Sequence, residues 1–293
     1  MKTHAIEALL ARGLFAASRA LPWPEGTGVG AALGSLTGAL GIRRRVAEEN
    51  LALAFPERTS AERSAILGAH YREVGRIAAE YARLPELATA PDGKVVAEAH
   101  GFENLERMRG KGVIVMTGHL SNFELFGAHI ARMNPVDFVV KPLSNPRVES
   151  VVADLRRRAG VGSIPLGGGL KQVFRALRAG RWVAMLADQD ARRHGVFVPF
   201  FGRPASTPEG PARIALQMGV PIVMGFMRRR ADGRHRARIE PPYLPAGDAS
   251  EENVVALTAW HTARLEHAIR EAPEHWFWLH RRWKTPPPET PGS

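Results

Sequence analysis

The chain has 293 residues, with 40 Lys and Arg against 29 Asp and Glu, a formal net charge of +11, and no Cys. The lack of thiols excludes disulfide scaffolds, thiolate metal sites and cysteine nucleophiles, and 45% hydrophobic with 24% charged residues excludes a disordered or fibrous chain. The basic excess fits a polyanionic partner, which composition leaves open among nucleic acid, an anionic membrane surface and an acidic protein or phosphorylated substrate.

In chain order, Ile6, Leu9, Leu10, Leu14, Ala17 and Leu21 fall on one helical stripe, with Lys2, Arg12 and Arg19 elsewhere. That is the pattern of an interfacial helix and equally of a core-facing one. The uncharged stretch from Gly26 to Ile42 holds six Gly and ends on Arg43, Arg44 and Arg45, short and Gly-rich for a membrane span. No small-residue cleavage site follows an apolar run, which argues against a secretory signal. Thr59 with Glu62 has the spacing of a capping box, and Leu67, Tyr71, Val74, Ala78 and Tyr81 recur at helical spacing up to Pro85. Residues 1–90 are therefore expected to form a helical, membrane-associating layer.

Beyond residue 90 the pattern changes to short apolar runs alternating with helical segments. Val113–Thr117, Val136–Val140, Trp182–Ala187 and Pro221–Met227 read as strands, and Ser121–Met133, Pro146–Ala159, Leu170–Ala179 and Pro208–Met218 as helices, the last closed by Gly219. This alternation predicts an α/β core over 91–285. Met227 to Ile239 turns at Ala231-Asp232-Gly233 and carries six Arg against one Asp, which predicts an exposed cationic hairpin. Ser250–Glu271 reads as a C-terminal helix. After it comes the aromatic and basic run from Trp276 to Lys284, and residues 286–293 read as a disordered tail.

The G-x-S-x-G elbow, the phosphate-binding P-loop and the H-E-x-x-H zinc motif are all missing from the sequence. What remains is a histidine just past a strand, in Thr117-Gly118-His119-Leu120-Ser121-Asn122-Phe123-Glu124. Residues five apart on a continuous helix do not share a face. A helix that starts at Ser121 or Asn122 leaves His119 in the loop, with Glu124 in the first turn, able to reach back and orient the imidazole. Ser121 with Glu124 also fits a capping box that needs no chemistry. Location favours the first reading, because ligands of open α/β sheets bind beyond the carboxyl ends of strands. Asp188 and Asp190 follow a strand in the same way and suit either substrate contacts or turn chemistry. The runs Arg156–Arg158, Arg228–Arg238 and Arg281–Lys284 are solvated faces or a surface for anionic lipid and an acidic carrier. Trp276, Trp278 and Trp283 suit a membrane interface or the core.

In these residues the chain resembles a family, the bacterial late acyltransferases of lipid A biosynthesis, within the glycerolipid-type enzymes that share an H-x4-[DE] motif. The resemblance rests on His119 with Glu124, Arg45–Leu51 through Phe55-Pro56, Lys141-Pro142 with Asn145-Pro146, Ala187–Asp190, Gly195–Gly202 and His275-Trp276 through Lys284. It implies a central mixed sheet flanked by helices, and acyl transfer from an acyl-carrier-protein thioester to a hydroxyl of a lipid A precursor at the cytoplasmic face of the inner membrane, by a peripheral or monotopic enzyme. No cofactor and no metal is implied, and nucleic acid is not expected as a partner. In this reading His119 is the general base and Glu124 holds it, while Ser121, Asn122, Lys141, Asn145, Asp188 and Asp190 contact substrate. The oxyanion is met by backbone N–H groups near Gly118 and the helix start or by Lys141, where the family usually carries Arg. The alternatives are acylation of another lipid, such as a glycosylated phosphoinositide or a glycerolipid with acyl-CoA as donor, and a non-catalytic lipid-binding protein on the same fold.

Overall fold

A computed structural model describes residues 13, 15, 16 and 18–288. The stripe from Ile6 lies almost wholly outside the described residues, as does the end of the tail, 289–293. Helices α1 (Thr27–Ala39), α2 (Arg44–Ala54), α3 (Ser60–Tyr81) and α4 (Leu84–Ala88) precede the first strand. The capping box forms at the start of α3, where Thr59 accepts from the Glu62 backbone N–H and Glu62 accepts from that of Thr59. The glycines of the uncharged stretch serve a close helix contact. A Cβ on Gly30 would lie 2.2 Å from the Gly75 carbonyl oxygen, and one on Gly75 would lie 1.9 Å from that of Gly30, so α1 and α3 meet backbone to backbone.

The sheet has the order β1-β9-β8-β2-β5-β3-β4. In chain order these are β1 (Val96–His100), β2 (Val113–Thr117), β3 (Val136–Val140), β4 (Val161–Pro165), β5 (Trp182–Leu186), β8 (Ile222–Arg229) and β9 (His235–Ile239), and β6 (Val196–Phe200) pairs with β7 (Arg203–Thr207) as a separate hairpin. Strands β8, β2, β5, β3 and β4 run parallel, while β9 is antiparallel to β8 and parallel to β1, so the sheet is mixed. The remaining helices are α5 (Phe102–Glu106), α6 (Phe123–Ile130), α7 (Pro146–Arg158), α8 (Leu170–Arg178), α9 (Gly210–Met218) and α10 (Glu251–Glu271).

Strand β2 is buried along its whole length, as expected of a parallel strand covered on both faces. One face packs on α2, α3, α8, α9, α10 and the C-terminal tryptophans, and the other on α4 and α6. Trp276 and Trp278 are fully buried, so these two belong to the core and not to an interface. The cationic hairpin exists as β8 and β9, but its two faces differ: Arg229 and His235, which pair across it, are buried, whereas Arg228, Arg236 and Arg238 remain partly exposed. Among the described residues no helix is long and apolar enough to cross a membrane.

Candidate active site

Register builds the site. Strands β2 and β5 are parallel neighbours in which Thr117 faces Leu186, so each chain leaves the sheet at the same edge and two residues later presents His119 and Asp188 side by side. His119 Nδ1 donates to Asp188 Oδ1 at 2.8 Å, and the His119 backbone N–H donates to Oδ2 at 2.7 Å. Trp276 Nε1 donates to the same Oδ2 at 2.8 Å. Gly118 permits this approach, because a Cβ there would sit 3.1 Å from Asp188 Oδ2 and 2.7 Å from a Leu265 methyl. With Nδ1–H committed to a carboxylate, the Nε2 lone pair is free for chemistry, and the Gln189 side-chain amide lies 3.4 Å from it.

The loop that carries His119 is tied on both sides. The His119 carbonyl accepts from Phe277 N–H at 3.0 Å and Ser121 N–H donates to the His275 carbonyl at 2.8 Å, which joins the histidine motif to the C-terminal aromatic run. Ser121 takes a left-handed conformation, φ 49°, unusual for a residue with a side chain and of the kind that collects at functional loops. Helix α6 then starts on Asn122, whose Oδ1 accepts from the Leu125 N–H, and the Asn122 amide donates to Glu80 at 2.8 Å.

The carboxylate predicted to orient His119 is elsewhere. Glu124, in the first turn of α6 as expected, is buried against Arg156 of α7, whose Nε lies 3.0 Å from Oε2. The helix begins one residue after Ser121, and a guanidinium fork on the far side offers Glu124 a bidentate partner. The imidazole is met instead by Asp188, 69 residues further along the chain. The alternative capping box from Ser121 to Glu124 does not form either: the cap is Asn122, and the Ser121 hydroxyl approaches Glu73 at 3.5 Å.

Charge balance follows from burial. Burial pulls the His119 pKa down, but the Asp188 charge and hydrogen bond, with a smaller contribution from the Glu124 charge, outweigh it and hold the imidazole above its ordinary value. Burial works the other way on Asp188, and the His119 charge with hydrogen bonds from His119 and Trp276 overcomes it, leaving the carboxyl at about 2. His119, Ser121 and Phe123 open onto an apolar pocket of about 280 Å³ whose far wall is His70, Glu73, Val74, Ile77 and Ala78 of α3.

The other predicted contacts scatter. Lys141 is exposed and does not line that pocket, and Asn145 is the N-cap of α7, accepting from Arg147 and Val148 N–H. Asp190 is half-buried and accepts from the Thr285 hydroxyl and its own N–H donates to His280 Nε2. Arg156, Gln189 and Trp276 were not singled out in the sequence as parts of the site. Only their neighbourhood in the matched runs pointed to the last two. Among the described residues no group of three or more His, Asp or Glu is placed to hold a metal.

A histidine bonded to a buried carboxylate at the carboxyl edge of a mixed α/β sheet, facing an apolar pocket, is an arrangement able to serve proton transfer. Sequence comparison gives the class directly. The profile of the family described as bacterial lipid A biosynthesis acyltransferase matches residues 3–285, and the chain belongs to that family and is an acyltransferase. It is 30% identical over 278 residues to the lipid A biosynthesis palmitoleoyltransferase of Escherichia coli K12, covering 91% of this chain and 87% of that one. To the lauroyltransferase of the same organism it is 29% identical over 281 residues, 92% and 89% of the two chains. It is also similar to a phosphatidylinositol mannoside acyltransferase of Mycobacterium tuberculosis, 28% identical over 225 residues, 74% and 67% of the two chains.

Proposed function

We propose that the protein transfers a fatty acyl chain from an acyl-carrier-protein thioester to a hydroxyl of a lipid A precursor, with His119 as general base and Asp188 as the carboxylate that orients it. The observation that carries the mechanism is the 2.8 Å bond from His119 Nδ1 to Asp188, which leaves Nε2 as acceptor at the apolar pocket. The acceptor hydroxyl gives its proton to Nε2 as its oxygen attacks the thioester carbonyl. The tetrahedral oxyanion collapses to the new ester, and the departing thiolate takes the proton back from the imidazolium. General-base help of this kind is worth about 10²- to 10⁴-fold. The carboxylate keeps the tautomer and stabilises the cation formed in the transition state. The first backbone N–H groups of α6, beside His119, suit the oxyanion better than the exposed Lys141. Glu124 serves by holding Arg156 beside the site.

A peripheral or monotopic place at the cytoplasmic face of the bacterial inner membrane fits the surface of α1. Leu33, Leu36 and Leu40 are exposed on one helical stripe, Ile42 is exposed just beyond it, and Arg43, Arg44 and Arg45 follow at once. A second acceptor class, a glycosylated phosphoinositide, is favoured by the mycobacterial relative.

The test is acyl transfer in detergent micelles from carrier-protein thioesters of several chain lengths to an under-acylated lipid A precursor and, in parallel, to a phosphatidylinositol mannoside, with His119→Ala alongside. Transfer to the first acceptor by the wild type alone is expected. Transfer only to the second replaces the acceptor, and equal transfer by the variant overturns the base assignment.

A further inference from the structure

Asp188 lines a second, enclosed cavity of about 10 Å³ together with Thr117, His261, Thr262 and Arg282. Arg282 is 0% exposed, yet among the described residues no carboxylate hydrogen-bonds to it. Its Nη1 donates to the Ser206 carbonyl at 2.5 Å, its Nη2 to Thr207 Oγ1 at 2.6 Å, and the Phe200 ring faces the guanidinium at 5.0 Å. Three buried polar atoms of the cavity's residues, Arg282 Nε, His261 Nε2 and Thr262 Oγ1, have no protein partner. That volume is the space one water needs, and these atoms with Asp188 supply the two to four partners that a buried water takes. A buried cation without an ion pair is costly: burial pulls the Arg282 pKa down to about 10, and the Asp188 and Asp190 charges oppose only part of that fall.

We propose that Arg282 is a positioning residue for the His119–Asp188 pair: through one water held in this cavity, the guanidinium takes up part of the Asp188 field and limits how far the carboxylate favours the protonated imidazole. A buried carboxylate bonded to an imidazole favours its charged form, which cannot accept a proton. A cation on the carboxylate restores the balance without touching substrate. The other charged or titratable groups around the pair are Glu124 of α6 with Arg156 of α7, His70 and Glu73 of α3, His261 of α10, Asp190 after β5, and His275 and His280 of the C-terminal run. None of these is a fixed positive charge set directly at Asp188.

The inference rests on His119 acting as the base, so the readout is the imidazole itself and not turnover. Imidazole ¹⁵N shifts of His119 are titrated in the full-length protein in detergent for the wild type, Arg282→Gln, Arg282→Lys and Thr262→Val. Loss of a nearby unit charge at an effective dielectric of about 20 raises the His119 midpoint in Arg282→Gln by about one pH unit or more. Arg282→Lys keeps it near the wild-type value, and Thr262→Val, which removes a water partner, moves it part of the way up. An unchanged midpoint in Arg282→Gln overturns the proposal, as does an equal rise in Arg282→Lys. Should Arg282→Gln fail to fold, Thr262→Val decides alone, a rise supporting the proposal and no change overturning it. A shifted midpoint in a protein that acylates neither acceptor would leave this inference standing while the function fails.

Discussion

Two buried arginines, Arg229 and Arg282, are spent differently. Arg229, with a side chain 6% exposed, is saturated by carboxylates: its Nε donates to Glu73 at 2.9 Å and its Nη1 and Nη2 to Glu80 at 2.6 and 2.8 Å. Glu80 also takes the Asn122 amide, Trp23 Nε1 at 3.1 Å and His235 Nε2 at 3.0 Å, so this network clamps α3 to the hairpin and to the cap of α6. Arg282 has only neutral hydrogen-bond acceptors. Its positive charge is left over, and the field it exerts reaches Asp188. Burial of a guanidinium does not by itself define its role: one saturated by carboxylates fixes geometry, and one without an ion pair has, in our proposal, a charge left to act on protonation.

The sharpest test of that division is Asp188→Asn. Loss of the carboxylate leaves burial as the main influence on His119, so its pKa falls and the acid limb of the pH–rate profile moves to lower pH. Transfer itself drops by about 10²- to 10⁴-fold, because the imidazolium formed in the transition state is no longer stabilised. If transfer survives and Glu124→Gln loses it instead, the pairing read from the H-x4-E spacing is the right one after all. Arg229→Met should act on stability. It leaves Glu73 and Glu80 buried without their cation and lowers the unfolding free energy by about 3–5 kcal/mol in urea titration, with the His119 midpoint in the surviving folded fraction near that of the wild type. A shifted midpoint would erase the contrast between the two arginines. At the small end, Thr59→Ala removes the cap of α3 and costs about 1 kcal/mol. Because α3 forms the far wall of the pocket, comparing its effect on the preferred acyl-chain length with its effect on melting temperature tells whether that wall is held locally or by the network.

What the sequence revealed of the fold was whatever is encoded locally. The unbroken apolar runs of β2, β3, β5 and β8, the caps at Thr59 and Ser250, and the left-handed Gly219 after α9 stand where periodicity and turn chemistry put them. Of the strands that escaped notice, Val196–Phe200 is apolar but interrupted by Pro199, and the others are broken in pattern. Val96–His100 carries Glu and His, Val161–Pro165 carries Gly and Pro, and Arg203–Thr207 has little apolar side chain to betray it. Helix α9 begins at Gly210, two residues later than Pro208 suggested.

The place of His119, in the loop just past the buried strand β2, was legible from the apolar run that ends at Thr117. Its partner was not, since the choice between Glu124 and Asp188 is made by the register of β2 on β5, a contact across 69 residues that no local spacing encodes. The charge runs concealed a similar lesson. Each of the three read as solvated or lipid-facing, Arg156–Arg158, Arg228–Arg238 and Arg281–Lys284, sends one arginine inward, Arg156, Arg229 and Arg282, while its neighbours Arg157, Arg228 and Arg281 stay partly or fully exposed.

The meeting of Gly30 with Gly75 also has a mechanical side. A side chain at either position would collide with the facing carbonyl, so the spacing of α1 and α3 is kept only while both sites lack a Cβ. The first of these helices carries exposed leucines, and the second carries Val74, Ile77 and Ala78 of the pocket that His119 also lines, so the distance between an outer apolar stripe and the pocket wall is set by two missing methyl groups.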